Sequence, residues 1–150
     1  MRLYKQLLTN NNCYKDGKKL EVNGIMWHST GANNPNLCRY VQPNDGLLGI
    51  NKNNNSWNQP KPGKRNVCVH AFIGKDKHGD VATYQTLPWD MQAWHTGTHE
   101  GNAMYIGFEI CEDNLKSAEY FNAVYKEACE LTVYLCEMFN LDPLKDGVVI

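Results

Sequence analysis

No stretch of this chain of 150 residues is apolar for long enough to act as a secretory leader or to cross a bilayer. The opening MRLYKQLLTNNNCYK interrupts its apolar residues with Arg, Lys and Asn, whereas a membrane span needs about 20 consecutive apolar residues. Membrane insertion is therefore not expected, and synthesis is expected in the cytoplasm without a signal peptide. Charge of one sign is also missing. The formal net charge is −1, and the basic residues are scattered through KDGKK (Lys15–Lys19), KPGKR (Lys61–Arg65) and GKDK (Gly74–Lys77). Such short runs read as solvated turns and give no field that would hold nucleic acid. There is no internal repeat, no CxxC pair among the six cysteines and no HExxH helix, which removes the commonest zinc-finger and zinc-protease signatures. In a chain made in a reducing compartment, the cysteines are expected as free thiols. Cys129 and Cys136, seven positions apart on one helical face, read as core.

What is present fits one domain. The hydrophobic share of 42% is enough for a 150-residue chain to bury a single core. Val67–Gly74 and Asp80–Leu87 are rich in β-branched and aromatic residues and are separated by KDKHG, so they predict a β-hairpin turning at Gly79. Met104–Glu112 (MYIGFEICE) predicts an inner strand. Ser117–Asn140 predicts an amphipathic helix, with Phe121, Val124, Ala128, Leu131, Leu135 and Met138 on its buried stripe and Ser117 as N-cap. The polar segment Asn51–Arg65 predicts a long surface loop whose Trp57 either anchors it or offers an aromatic contact to a ligand. The closing GVVI reads as the opening of a further strand.

Three segments carry chemistry. GIMWHSTGANNP (Gly24–Pro35) runs from an apolar strand into a turn and leaves His28 at the strand end, a place that holds an imidazole rigidly beside a loop-lined cleft. A lone strand histidine is more often a hydrogen-bonded, partly buried residue, and both readings stand for His28. Glu109 lies in the middle of an apolar strand, where a carboxylate is costly unless it is paired, protonated or used. Either an ion pair or general-base work accounts for it. QAWHTGTH (Gln92–His99) brings Trp94, His95 and His99. Its Gly97 and its β-branched Thr96 and Thr98 disfavour a helical histidine pair and make it a cleft wall. His70 alternates with Cys68 and Phe72 along its strand, and His78 falls in a turn.

Taken in order, these segments resemble the zinc-dependent N-acetylmuramoyl-L-alanine amidases related to the peptidoglycan recognition proteins, and most of all the endolysins of phages of Gram-positive bacteria. GIMWHSTGANNP is similar to the segment with the family's first zinc histidine, VCVHAFIGKDKHGDVATYQTLP to its central hairpin, MQAWHTG to its Trp-His-(small)-Gly motif and YIGFEICE to its Ile-Gly-(apolar)-Glu strand. The resemblance covers nearly the whole chain. It implies an α/β fold with a mixed central sheet flanked by helices, and cleavage of the amide between N-acetylmuramic acid and L-alanine by zinc-activated water. It also implies His28 as a Zn2+ ligand, Glu109 as the catalytic carboxylate, and Trp94, His95, Thr30 and His70 as substrate-binding residues. Some relatives use a hairpin tyrosine where this chain has Val69, which shifts weight to Glu109. The family's other two zinc ligands lie after the segment that GVVI resembles, so residues 1–150 are expected to be an amidase domain truncated at its C-terminal end. The implied partner is bacterial peptidoglycan, reached by a monomer, with phage-mediated release as one route to the wall. The alternative is a non-catalytic peptidoglycan-binding module of the same fold.

Overall fold

The structure is a computed structural model, and it describes residues 1–42 and 46–150. Five strands form one sheet: β1 (Leu3–Lys5), β2 (Gly24–Asn33), β3 (Ala71–Lys75), β4 (Val81–Gln85) and β5 (Tyr105–Glu112). Their order is β1-β4-β3-β5-β2. Only the β3–β4 hairpin is antiparallel, while β1 on β4, β5 on β3 and β2 on β5 are parallel pairs. The mixed sheet with helices outside it is the architecture expected from the sequence. Among the described residues three α-helices accompany it: α1 (Asn12–Asp16), α2 (His99–Met104) and the long α3 (Ala118–Phe139). None of the described helices is long and apolar enough to cross a membrane.

Strand alternation divides the core into two layers. Ile25 and Trp27 of β2 and Ile106, Phe108 and Ile110 of β5 pack with Tyr120, Val124, Ala128, Leu131 and Leu135 of α3. Each large aliphatic side chain fully buried there contributes roughly 1.5–3 kcal/mol relative to exposure. The other face of the sheet is covered by loops. Leu37, Tyr40, Val41 and Leu48 pack on Phe72, Tyr84 and Cys111. Trp57 stands edge-on to Phe72 with ring centroids 5.0 Å apart, and its backbone N–H donates to Tyr40 O at 2.9 Å. In the structure Trp57 is thus an anchor of the long loop.

The helix α3 starts as its sequence dictates, the Ser117 hydroxyl accepting from Tyr120 N–H at 3.2 Å. It stops at Asn140, which adopts the left-handed conformation (φ 53°). Two of its expected core positions face outward: Phe121 is 49% and Met138 45% exposed. Phe121 stacks on Tyr125 at 6.1 Å instead of on the sheet. Cys136 is buried as expected, but Cys129 is only half-buried. The expectation of free thiols is corrected at one pair, because Cys13 and Cys68 form a disulfide that closes a span of 55 residues. Cys38, Cys111, Cys129 and Cys136 are free. The closing segment docks on the outer edge of β2: Ile25 N–H donates to Val148 O at 2.7 Å and Trp27 N–H to Ile150 O at 2.8 Å.

Candidate active site

His28 and Glu109 are direct register partners across the parallel β2–β5 pair, and Glu109 is also level with Phe72 of β3. Alternation puts both on the loop-covered face, opposite α3. After His28 the register of β2 shifts, with Gly31 in a left-handed conformation (φ 61°). The Glu112 carboxylate holds this bulge by accepting from Ser29 Oγ at 2.6 Å and from Gly31 N–H at 3.0 Å. Thr30 lies beside it, half-buried, its hydroxyl accepting from Glu112 N–H at 3.2 Å.

Glu109 is the electrostatic anomaly of the site. Its Oε2 is buried and has no hydrogen-bond partner among the described residues. Burial first, and the Glu112 charge second, raise its pKa to about 7. A carboxyl that is half-protonated near neutrality can both take and return a proton at the pH where a hydrolase works.

His95 arrives from the loop between β4 and β5. The Asn102 side-chain oxygen accepts from the backbone N–H groups of His95 (2.9 Å) and Thr96 (3.0 Å), which fixes that loop. Thr98 caps α2 by accepting from Gly101 N–H at 3.1 Å. The helix therefore begins after His95, and His95 and His99 share no helical turn. The His95 ring lies against His28, with His28 Nε2 and His95 Nδ1 2.8 Å apart, while His95 Nε2 is 3.1 Å from Tyr105 O. Burial, followed by the neighbouring His70 and His28 rings, lowers the His95 pKa to about 3. Burial also lowers that of His28. The ring sits directly over Gly107: a Cβ there would be 2.3 Å from His95 Nδ1 and 2.5 Å from Cε1. This contact gives the glycine of the Ile-Gly-(apolar)-Glu strand its physical reason.

His70 is completely buried. Its Nε2 donates to Met91 O at 2.7 Å and its Nδ1 accepts from Gly107 N–H at 3.0 Å. Both ring nitrogens are engaged and the ring reaches no surface, so the structure places His70 in the interior, where it cannot be the substrate contact expected of it. Burial lowers its pKa to about 4, against 6.5 for a free histidine. Neutral His70 therefore stabilises the fold fully above pH 6.5. As pH falls from 6.5 to about 4 the unfolded chain takes up the proton first, and about 3 kcal/mol is lost. Urea midpoints at pH 7.5 and 4.5, compared between the native chain and His70→Gln, are expected to show a steeper acid loss in the native chain. Parallel losses would remove His70 as the cause.

Of the residues singled out from sequence, then, His28 meets Glu109 through strand register and His95 through its ring, while Thr30 is bonded to the neighbouring Glu112. Trp94 is half-buried against the cluster around the disulfide, its backbone N–H donating to Cys68 Sγ at 3.2 Å, and His78 is exposed in its turn. Sequence reasoning missed Gly107, Asn102 and Glu112. Only Gly107, inside an otherwise apolar strand, carries a signal that could have been read. Among the described residues, no three His, Cys, Asp or Glu side chains converge on a point that could hold a metal ion.

Comparison with known proteins identifies the family and agrees with the fold. The family model described as N-acetylmuramoyl-L-alanine amidase matches residues 18–150. Among solved structures, the catalytic domain of XlyA superposes with a TM-score of 0.68 at 19% identity, covering 99% of this chain and 82% of that one. A mutant endolysin from Bacillus subtilis gives 0.67 at 20%, with 99% and 82% covered. PlyL gives 0.63 at 18%, with 99% and 78% covered. Among curated proteins, no sequence matches significantly.

Proposed function

Because the chain belongs to the N-acetylmuramoyl-L-alanine amidase family, we propose that it hydrolyses peptidoglycan at the amide joining the lactyl group of N-acetylmuramic acid to L-alanine of the stem peptide. The observation that carries the catalytic reading is Glu109, a half-buried carboxylate whose buried Oε2 has no hydrogen-bond partner among the described residues, side by side with His28. A carboxyl held near neutrality is matched to general-base work at neutral pH. Glu109 takes a proton from water as its oxygen attacks the carbonyl carbon. It returns that proton to the alanine nitrogen as the C–N bond breaks, leaving a muramoyl carboxylate and a free α-amine. His28, His95 and Thr30 border the reacting centre, and Trp94 supports the loop that carries His95. The protein works as a monomer on wall reached after release from the cell that makes it.

Zinc is what the resemblance implies for polarising the scissile carbonyl, with His28 as a ligand. A catalytic zinc takes three protein ligands and an open position, and the described residues do not assemble that set. The same fact favours the second reading, a module that binds muropeptide without cutting it.

The test is digestion of purified peptidoglycan, with the product followed by labelling of new α-amino groups. Alanine termini without new reducing sugar ends are the expected result. Loss of cleavage on chelation, regained with added zinc, supports zinc dependence; cleavage that survives chelation overturns that part alone. Retention on peptidoglycan with no new termini in either condition overturns the enzyme and leaves the binding module.

A further inference from the structure

The two histidines at the site form a directed pair, and the direction is set by a backbone carbonyl. Tyr105 O can only accept, so His95 Nε2, 3.1 Å away, carries a proton. A neutral imidazole has a single N–H, and with that proton directed to Tyr105 O the His95 Nδ1 is a bare acceptor. His28 Nε2, 2.8 Å from that acceptor, must then be the donor. The remaining nitrogen of His28, Nδ1, forms no hydrogen bond among the described residues and keeps its lone pair. The His95 ring cannot slide away on one side, because it is seated on Gly107 where no Cβ would fit.

We propose that His95 is a positioning residue that fixes His28 as its Nε2–H tautomer and so makes Nδ1 the atom through which His28 works. The arrangement follows the general rule that a functional imidazole has its tautomer chosen by whatever its other nitrogen meets. Its value for turnover rests on the amidase reading above; the tautomer itself does not.

The experiment is nuclear magnetic resonance on the 15N-labelled full chain, reading imidazole nitrogens by long-range proton correlation and by 15N–15N coupling across the hydrogen bond. The expected result is a coupling between His28 Nε2 and His95 Nδ1, with the proton on His28 and both rings in one tautomer. His95→Asn, which keeps an acceptor near the Nδ1 position, is expected to preserve the single His28 tautomer. His95→Phe, which fills the space without an acceptor, is expected to release His28 into a mixture. The native chain decides the question even where a variant fails to fold. A His28 protonated at Nδ1, a doubly protonated His95 at neutral pH, or a tautomer unmoved by His95→Phe would each overturn the proposal. A native chain that shows the coupling yet cleaves nothing supports the positioning role and sinks the amidase reading.

Discussion

Replacing Glu109 by glutamine is expected to abolish amide cleavage and, in the same protein, to raise stability above neutral pH. Loss of a general base from a hydrolytic step costs about 10²–10⁴-fold in turnover. Glutamine keeps the size of the side chain and removes only its ability to take a proton. The stability effect follows from linkage. The native carboxyl titrates at about 7 against 4.5 for a free glutamate. The folded state therefore holds its proton where the unfolded state has lost it, and the stability associated with neutral Glu109 is complete below pH 4.5 and lost as pH rises through 7. With partial exposure discounted, the loss is about 2 kcal/mol. Glu109→Gln cannot ionise and escapes it. Urea midpoints of the two proteins are expected to diverge between pH 5 and 8.5, with the variant higher at 8.5. Turnover within tenfold of the native chain would remove Glu109 as the base. Midpoints that stay parallel would show that the carboxyl is not held in the environment described.

The features legible in the sequence are those enforced by local pattern. The helix α3 follows from its three- and four-residue apolar steps and from Ser117, and the β3–β4 hairpin from its β-branched runs around Gly79. Glu109 stood out because a charge within YIGFEICE conflicts with its surroundings, and such conflicts gather at functional sites. What was not legible depends on partners far apart in the chain. The three residues of β1 have no periodicity of their own and become a strand only because β4, about 80 positions later, pairs with them in parallel. Cys13 and Cys68 have no spacing that announces a bond; the Asn11 side chain ties their segments, its amide donating to Val67 O and its oxygen accepting from Cys13 N–H. His70 reads the same whether its face of the strand is buried or open. The difference is made by Met91 O and Gly107 N–H, from two other segments. The direction of the His28–His95 pair is likewise set by one backbone carbonyl, which no side-chain pattern encodes.

The substitution Gly107→Ala shows how narrow that arrangement is. Gly107 is used three times over: its N–H donates to His70 Nδ1, its carbonyl accepts from His70 N–H at 2.8 Å, and its bare Cα face seats the His95 ring. A methyl group at this position would lie within 2.7 Å of three His95 ring atoms. The ring is held at both nitrogens, so it cannot yield by a simple rotation. Overpacking of this kind costs about 1–3 kcal/mol, and each hydrogen bond broken as the ring is displaced adds about 1 kcal/mol. Gly107→Ala is therefore expected to lose about 3–5 kcal/mol of stability, and peptidoglycan cleavage should fall further than the folded fraction accounts for, because His28 loses its partner. The check is turnover per folded molecule, with the folded fraction measured by near-ultraviolet circular dichroism. Pairing Gly107→Ala with His95→Ala, which empties the space above the strand, should restore most of the stability and none of the activity. Recovery of both would mean that the His95 ring only fills volume; recovery of stability alone would separate the packing of the ring from its work on His28.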